Sequence, residues 1–326
     1  MTVSWKNFRY RVEWLAVKAA AAVIPLLPRT LCYWAGQFAG SLAFALDRPN
    51  RRVALSNLEA ALGDEFSPAQ RADIARQSYQ MFARTLIDLF WTPRLTSKNF
   101  WRYVDFENVD RLRADTASSG TFILAGFHYG NFEWLNPGVA WAGLTCDIAT
   151  QEFKNPLLDK IFRELREHAG NTSVPRQGAI IRLYRILRKK GRIALLVDTT
   201  LAPQQPTVII ESFGLKKVVP IAHAWLHERT GAPLIPLICE PLPGGRWRFV
   251  AHPKIELPPG ATHQQIAQAC WDSFEPVVRR NPAPWLWMYK HWRYRPATAD
   301  PSCYPFYANV SPHFEKRLKE TESAGA

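Results

Sequence analysis

The chain has 326 residues, 47% of them hydrophobic, which is enough for a sizeable core in one large or two modest domains. Its formal net charge of +13 suits an anionic membrane surface, an acidic protein or nucleic acid. Its 5 cysteines are odd in number, widely spaced and free of any Cys-x-x-Cys, which argues against a disulfide frame or a zinc site and fits a reducing compartment.

The first residues are polar and basic, with Trp5, Phe8 and Tyr10 interleaved. Two apolar segments follow. Trp14 to Leu27 is interrupted by Lys18 and Pro25, and Thr30 to Leu46 is closed by Asp47. Each falls short of the roughly 18 to 20 continuous apolar residues that a spanning helix needs. The basic flanks, the Trp and Tyr residues, and Gly36 and Gly40 favour a membrane-embedded or interfacial pair over two core helices.

Arg51 to Leu62 reads as a helix ended by Gly63. Ser67-Pro68-Ala69-Gln70 is a helix start: Ser67 caps, Pro68 takes the first helical position and Gln70 closes a capping box. The helix runs to about Trp91. Asp88, a lone acid on its apolar stretch, reads as a surface or capping partner.

The stretch Thr121 to Leu135, TFILAGFHYGNFEWL, organises the chain. Its uncharged run to Phe127 predicts a buried strand, and Gly130 and Asn131 predict a turn into a helix. His128 then sits just past the carboxyl end of a strand, where ligands collect in open α/β sheets. A neutral imidazole can take a proton from a hydroxyl, and does so better when a carboxylate holds its other nitrogen. Across such a turn Glu133 can fold back onto His128. The alternative is a satisfied buried histidine beside a helix N-terminal carboxylate.

HYGNFEW resembles the His-x4-Asp/Glu block of the glycerolipid acyltransferase superfamily, and most closely the lipid A biosynthesis lauroyl/myristoyl acyltransferase family. The similarity covers about residues 15 to 295. It includes NRRVALSNLEAAL (Asn50 to Leu62), RQGAIIRLYRILRKKGRIALLVD (Arg176 to Asp198) and the closing PAPWLWMYKHWR (Pro282 to Arg293). The resemblance implies a membrane-anchoring N-terminus. It implies His128 as general base and Glu133 as the acid that orients it. Asn131, Arg166, Arg176 and Asp198 become candidates for substrate binding, with Arg176 in donor binding or in stabilising developing negative charge.

Beyond this block, Leu144 to Thr150 reads as a strand, and a helix starts near Asn155-Pro156 and carries Arg166. Val174-Pro175-Arg176 follows a short strand. Gly178 to Lys190 is an amphipathic helix with Arg182, Arg185 and Lys189 on one stripe, either a solvated face or a landing surface for an acidic partner such as an acyl carrier protein. Arg192 to Val197 is a strand that brings Asp198 to the edge where His128 lies, if the strands are parallel. The family usually has Asp-Gln where this chain has Asp198-Thr199, and Thr-Pro where it has Val219-Pro220.

Thr207 to Phe213 reads as a strand and Pro220 to Gly231 as a helix. His223 and His227 lie at a metal-binding spacing with no third ligand, so no metal is expected. Ala232 to Cys239 and Arg246 to His252 read as an antiparallel pair, and Thr262 to Arg280 as one helix. The aromatic and basic ending, Pro284 to Pro296, suits a core strand, an interfacial belt or a nucleic-acid platform; the resemblance places it near the active-site groove.

The expected fold is therefore α/β: a mixed central sheet flanked by helices, glycerolipid acyltransferase-like, with a helical membrane-associating N-terminal part. The expected divisions are 1–47 (N-terminal helices), 48–296 (acyltransferase domain) and 297–326 (variable tail). The resemblance implies transfer of a fatty acyl chain from an acyl thioester to a hydroxyl of a lipid acceptor such as a lipid A precursor. The donor is an acyl carrier protein, or alternatively acyl-CoA with a phospholipid or glycolipid acceptor. No cofactor is expected. Partners are the donor, the lipid acceptor and an anionic membrane surface, at the cytoplasmic face of the inner membrane, monotopic or peripheral. A nucleic-acid partner is not expected, because the basic residues are dispersed and no binding motif appears. A non-catalytic lipid-binding protein is the other distant alternative.

Overall fold

A computed structural model of the protein describes residues 5–151, 153–175 and 177–325. Four helices come first: α1 (Trp5–Val23), α2 (Arg29–Leu46), α3 (Arg48–Leu62) and α4 (Pro68–Trp91). The capping box at Ser67 and Gln70 forms as the sequence predicts. Then come β1 (Val104–Glu107), α5 (Val109–Ala117), β2 (Phe122–Gly126), α6 (Phe132–Trp141), β3 (Asp147–Thr150), α7 (Pro156–Glu167), β4 (Thr172–Pro175), α8 (Ala179–Arg188) and β5 (Arg192–Leu196). The chain continues through β6 (Thr207–Ser212), β7 (Leu215–Pro220), α9 (Ala222–Thr230), β8 (Leu234–Pro241), β9 (Trp247–Ala251), α10 (His263–Asp272), α11 (Glu275–Arg280) and α12 (Pro312–Gly325).

Seven strands form one sheet in the order β1-β9-β8-β2-β5-β3-β4. All neighbouring pairs are parallel except β8 and β9. β2 is wholly buried, as its unbroken apolar run requires of a central parallel strand. Because β2 and β5 are parallel and in register from Phe122–Arg192 to Gly126–Leu196, the residues that follow both strands emerge at one edge. A separate hairpin, β6 and β7, turns at Phe213 (φ 54°) and Gly214 (φ 75°), the pair of left-handed residues that a two-residue hairpin turn demands.

β1, α5 and β7 were not anticipated. The single helix expected over 262–280 is broken into α10 and α11 around Ser273 and Phe274, with Pro276 in the first turn of the second helix. Gly36 and Gly40 do not face lipid. A side chain at Gly40 would meet the Cα of Gln80 at 2.3 Å, so these glycines let α2 lie directly on α4. Residues of the C-terminal region form α12, whose Phe314 is buried against Ile209 and Val218 of the hairpin.

α2 is therefore two-faced. Cys32, Gly36 and Gly40 pack inward, while Leu31, Trp34 (62% exposed), Phe38 (70%), Leu42 and Leu46 point outward. α1 has no buried residue, and exposes Trp5, Phe8, Val12 and Leu15. Among the described residues, no helix is long and apolar enough to cross a membrane.

Candidate active site

His128 follows β2 by two residues, and Asp198 follows β5 by two. Parallel pairing puts them side by side. The imidazole Nδ1 lies 2.8 Å from Asp198 Oδ1, and the His128 backbone N–H donates to Asp198 Oδ2 at 3.0 Å. The Trp285 indole N–H donates to the same Oδ2 at 3.0 Å. Burial opposes the charge on Asp198, yet His128, Lys217 and the Trp285 N–H together hold its carboxyl well below the usual carboxylate range. An ionised carboxylate only accepts, so Nδ1 carries a proton, and in the neutral ring Nε2 keeps its lone pair.

The carboxylate beside His128 is thus Asp198, not Glu133, which corrects the expectation drawn from the His-x4-Glu spacing. Glu133 lies in the first turn of α6 and is engaged elsewhere. Arg166 of α7 grips it from both sides, Nη2 to Oε1 at 2.7 Å and Nε to Oε2 at 3.0 Å. This bidentate geometry fixes the plane of the guanidinium. Asp198 was expected to bind substrate. It is instead fully buried behind the imidazole.

Asn131 was also expected to bind substrate, but its side chain is tied into the framework. It is fully buried, and both ends of its amide are engaged. Its Oδ1 caps α6 by accepting the Trp134 backbone N–H at 3.0 Å, and its Nδ2 donates to Asp88 Oδ2 at 2.7 Å. Asp88 is accordingly no surface residue. It is buried, ion-paired with Arg29 at the start of α2, and takes a further hydrogen bond from Trp247 Nε1 at 3.1 Å. The capping residue of the turn, the start of α2 and the sheet are tied through one carboxylate. Gly130 completes the turn at φ 57°, where any Cβ would strike the Cys239 carbonyl oxygen at 2.0 Å.

The segment after α11 closes over this turn from the other side. Leu286 N–H donates to the His128 carbonyl at 3.2 Å, Gly130 N–H donates to the Pro284 carbonyl at 3.0 Å, and the Tyr129 hydroxyl donates to the Asn281 carbonyl at 2.7 Å. The Trp-rich ending is a buried clamp on the site: Trp285, Trp287 and Trp292 are all inaccessible.

His128, Glu133 and Arg166 line one cavity of about 160 Å³. Its remaining wall is chiefly apolar, with Leu124, Leu135, Val139, Ile148 and Leu237 reaching between the sheet and α6. A second hollow of about 110 Å³ shares Thr150, Gln151 and Arg166 with the first and extends past Phe153, Arg163, Ser173 and Pro175. Arg176 lies outside the described residues. No group of three or more His, Cys, Asp or Glu side chains able to hold a metal is found among the described residues. His223 is buried, and His227 Nδ1 pairs with the Ala232 carbonyl at 2.8 Å.

Asp88 and Lys217 belong to this neighbourhood although the sequence did not mark them for it. Asp88 had one signal, a lone acid among apolar neighbours; for Lys217, only the packing of the β6–β7 hairpin brings it there. Trp285 lies where the resemblance puts the chain ending, beside the site.

A comparison with curated proteins found no match. The family model described as bacterial lipid A biosynthesis acyltransferase matches residues 2–294, nearly the whole chain, including the turn with His128, the α7 arginine and the tryptophan clamp. A central, mostly parallel sheet with a histidine at its carboxyl edge, opening into an apolar cavity, accords with that match, and the chain belongs to the bacterial lipid A biosynthesis acyltransferase family.

Proposed function

We propose that the protein transfers a fatty acyl chain from an acyl thioester, carried on an acyl carrier protein, to a hydroxyl of a lipid A precursor, with His128 as general base. The observation that carries this reading is the His128 Nδ1–Asp198 Oδ1 contact at 2.8 Å beside an apolar cavity. Nε2 takes the proton of the acceptor hydroxyl as its oxygen attacks the thioester carbonyl. Asp198 stabilises the imidazolium that forms. Arg166, held by Glu133 through Nε and Nη2 at the cavity wall, turns its positive charge to the negative charge that develops on the carbonyl oxygen. Collapse of the tetrahedral species breaks the carbon–sulfur bond, and the proton on His128 passes to the departing thiolate. No nucleophilic Ser or Cys takes part. The acyl chain lies in the apolar cavity between the sheet and α6. Arg176 is retained as a donor-binding candidate.

The preference for a carrier protein rests on α8. Arg182, Arg185, Arg188, Lys189 and Lys190 are all exposed along it, with Ile181 exposed beside them, and α8 begins just beyond the second hollow. Such a surface suits an acidic partner delivering a tethered thioester. The test offers the purified protein one acyl chain on either carrier protein or CoA, with a lipid A precursor or a phospholipid as acceptor, and follows the products by mass spectrometry. Acylated precursor, formed faster from the carrier thioester and with a salt-sensitive KM, is the expected result. Equal use of CoA, or acylation of the phospholipid instead, would replace this assignment.

The outward faces of α1 and α2 seat the protein on the bilayer without crossing it. Their apolar side chains are flanked by exposed Lys6, Arg9 and Arg11, a composition suited to an anionic interface. Burying one such aromatic is worth roughly 1.5–3 kcal/mol. The paired substitution Trp34→Ser and Phe38→Ser should therefore weaken binding to anionic vesicles at least about tenfold in a flotation assay. Undiminished flotation would assign that face another role.

A further inference from the structure

The family match ends at residue 294, yet the chain beyond it is tied to α3. The Phe306 backbone N–H donates to Ser56 Oγ at 3.1 Å, and the Tyr307 hydroxyl donates to Asn57 Oδ1. Asn309 N–H donates to the Arg293 carbonyl at 3.0 Å, and Arg295 N–H to the Asn309 carbonyl at 3.1 Å. Asn57 is fully buried and passes the link on: its Nδ2 donates to the carbonyls of Trp287 and Tyr289, each at 2.7 Å. Those two residues belong to the segment that closes over the His128 turn. Phe306 and Tyr307 are thus fixed beside the catalytic edge of the sheet.

Their outward surface is not that of a solvated tail. Phe306 is 51% exposed, and Val310 is exposed as well. The Arg52 guanidinium lies 4.0 Å from the Phe306 ring centre, the Lys290 ammonium 5.4 Å from that of Tyr307, and the Arg293 guanidinium 5.3 Å from that of Tyr289. Arg48, Arg52, Lys290 and Arg293 are all exposed, and among the described residues none has a carboxylate at ion-pair distance. The acids of these segments are turned to other partners: Glu59 to Arg71 at 3.6 Å, Asp47 to the Asn50 amide at 2.8 Å and Asp300 to the Ser302 N–H at 2.8 Å. Arg48, Arg52 and Ser56 recur every four residues and so share one face of α3. Arg48 follows two residues after Leu46, where the outward apolar face of α2 ends. One surface therefore runs from α2 across α3 to Phe306, with apolar and aromatic side chains among unpaired cations.

We propose that this edge is a second bilayer contact, resting on the reading of α1 and α2 as interfacial helices: Phe306 enters the headgroup region of an anionic leaflet, and Arg48, Arg52, Lys290 and Arg293 face its phosphates. Aromatic rings settle at that depth, and unpaired cations are drawn to its negative potential. Two separate contacts fix the tilt of the protein on the membrane. Because the second is linked through Asn57 to the segment over His128, it sets the height at which the catalytic edge meets lipid.

The test places a nitrobenzoxadiazole label, which brightens and shifts to the blue on leaving water, on Phe306→Cys of the full chain. Cys303, the exposed cysteine, is first changed to Ser. A matching label on Trp34→Cys reports α2. Vesicles of phosphatidylglycerol and phosphatidylethanolamine are added, and, separately, acyl carrier protein. Both labels should shift to the blue on the vesicles. A label at 306 that keeps its aqueous spectrum while that at 34 responds overturns the inference and leaves α2 at the interface. So does a label at 306 that answers to carrier protein and not to vesicles. A silent label at 34 beside a responsive one at 306 would retain this edge and remove α2 instead. Charge is read by flotation: at about fivefold for each cation near the surface, Arg52→Gln with Lys290→Gln should weaken binding to the anionic vesicles at least tenfold, and leave binding to phosphatidylcholine vesicles unchanged. Undiminished flotation of that variant on anionic vesicles overturns the assignment to anionic lipid.

Discussion

His128→Ala is expected to lower kcat for acyl transfer by about a thousandfold, the middle of the range that a positioned general base supplies. The side chain lies at the rim of the cavity, where it contacts Phe132 edge-to-face at 4.9 Å and, among the described residues, bonds Asp198 alone. Its loss removes no buried apolar contact of the main core. The backbone links that hold the turn, His128 N–H to Asp198 and Leu286 N–H to the His128 carbonyl, do not need the imidazole. Circular dichroism and the melting temperature should stay near those of the wild type while single-turnover rates collapse. Normal turnover by a folded His128→Ala protein would end the mechanism.

Asp198→Asn should be nearly as damaging to activity, by about 10³- to 10⁴-fold, for a reason that concerns a single proton. Asp198 Oδ2 accepts from two donors, the His128 backbone N–H and the Trp285 indole N–H. Asparagine can satisfy both only by placing its carbonyl oxygen there, which turns its NH2 towards His128 Nδ1. That group donates where the carboxylate accepted. The imidazole then moves its proton to Nε2, and the lone pair facing the cavity is lost. Stability falls as well, because charge-assisted hydrogen bonds to a buried carboxylate are replaced by neutral ones, at a cost of about 1 kcal/mol. The Asp198 carboxyl is more acidic folded than unfolded, so its contribution is present above the unfolded value of about 3.9 and is lost as the pH falls further. Chemical denaturation should show a gap between wild type and variant that is full at pH 7 and narrows below about pH 4. A variant that keeps its rate while losing only stability would show that the carboxylate is structural and that another group fixes the tautomer.

The Asp88 centre explains how a loop of five residues holds the base so firmly. Asp88 belongs to α4, yet it accepts from Arg29, Asn131 and Trp247, which come from the start of α2, the turn itself and β9. Thr85, one turn earlier on α4, donates to the Gly130 carbonyl at 3.0 Å. The long capped helix is therefore the shelf on which the turn rests, and α2, with its outward apolar face, is bolted to the same shelf.

Local signals were legible where the physics is local. The start of α4 is written in four consecutive residues, and the β2 strand in an uncharged run that nothing but burial explains. The same holds for α7, opened by the Asn155 cap and Pro156. The Thr262–Arg280 segment failed because a helical apolar pattern persists across the break, and only packing decides that the backbone bends at Phe274, which stacks on Phe127 with ring centres 4.0 Å apart. The pairing of Glu133 with His128 failed because five residues of separation permitted it, whereas the rotation of α6 gives Glu133 to Arg166, and Asp198, seventy residues away, arrives first at Nδ1.

By itself the sequence determined the elements that depend on neighbours in the chain: capped helices, the buried central strand, the glycine turn that delivers His128 to the sheet edge, and a basic α8. Through its resemblance to a family it also indicated the chemistry. Tertiary structure alone decided which carboxylate serves the histidine, that Asn131 and Asp88 are framework, and that a lysine lies behind the pair. Those assignments rest on contacts between residues far apart in sequence, where direction and distance follow from how strands register and helices rotate, and no local pattern encodes either.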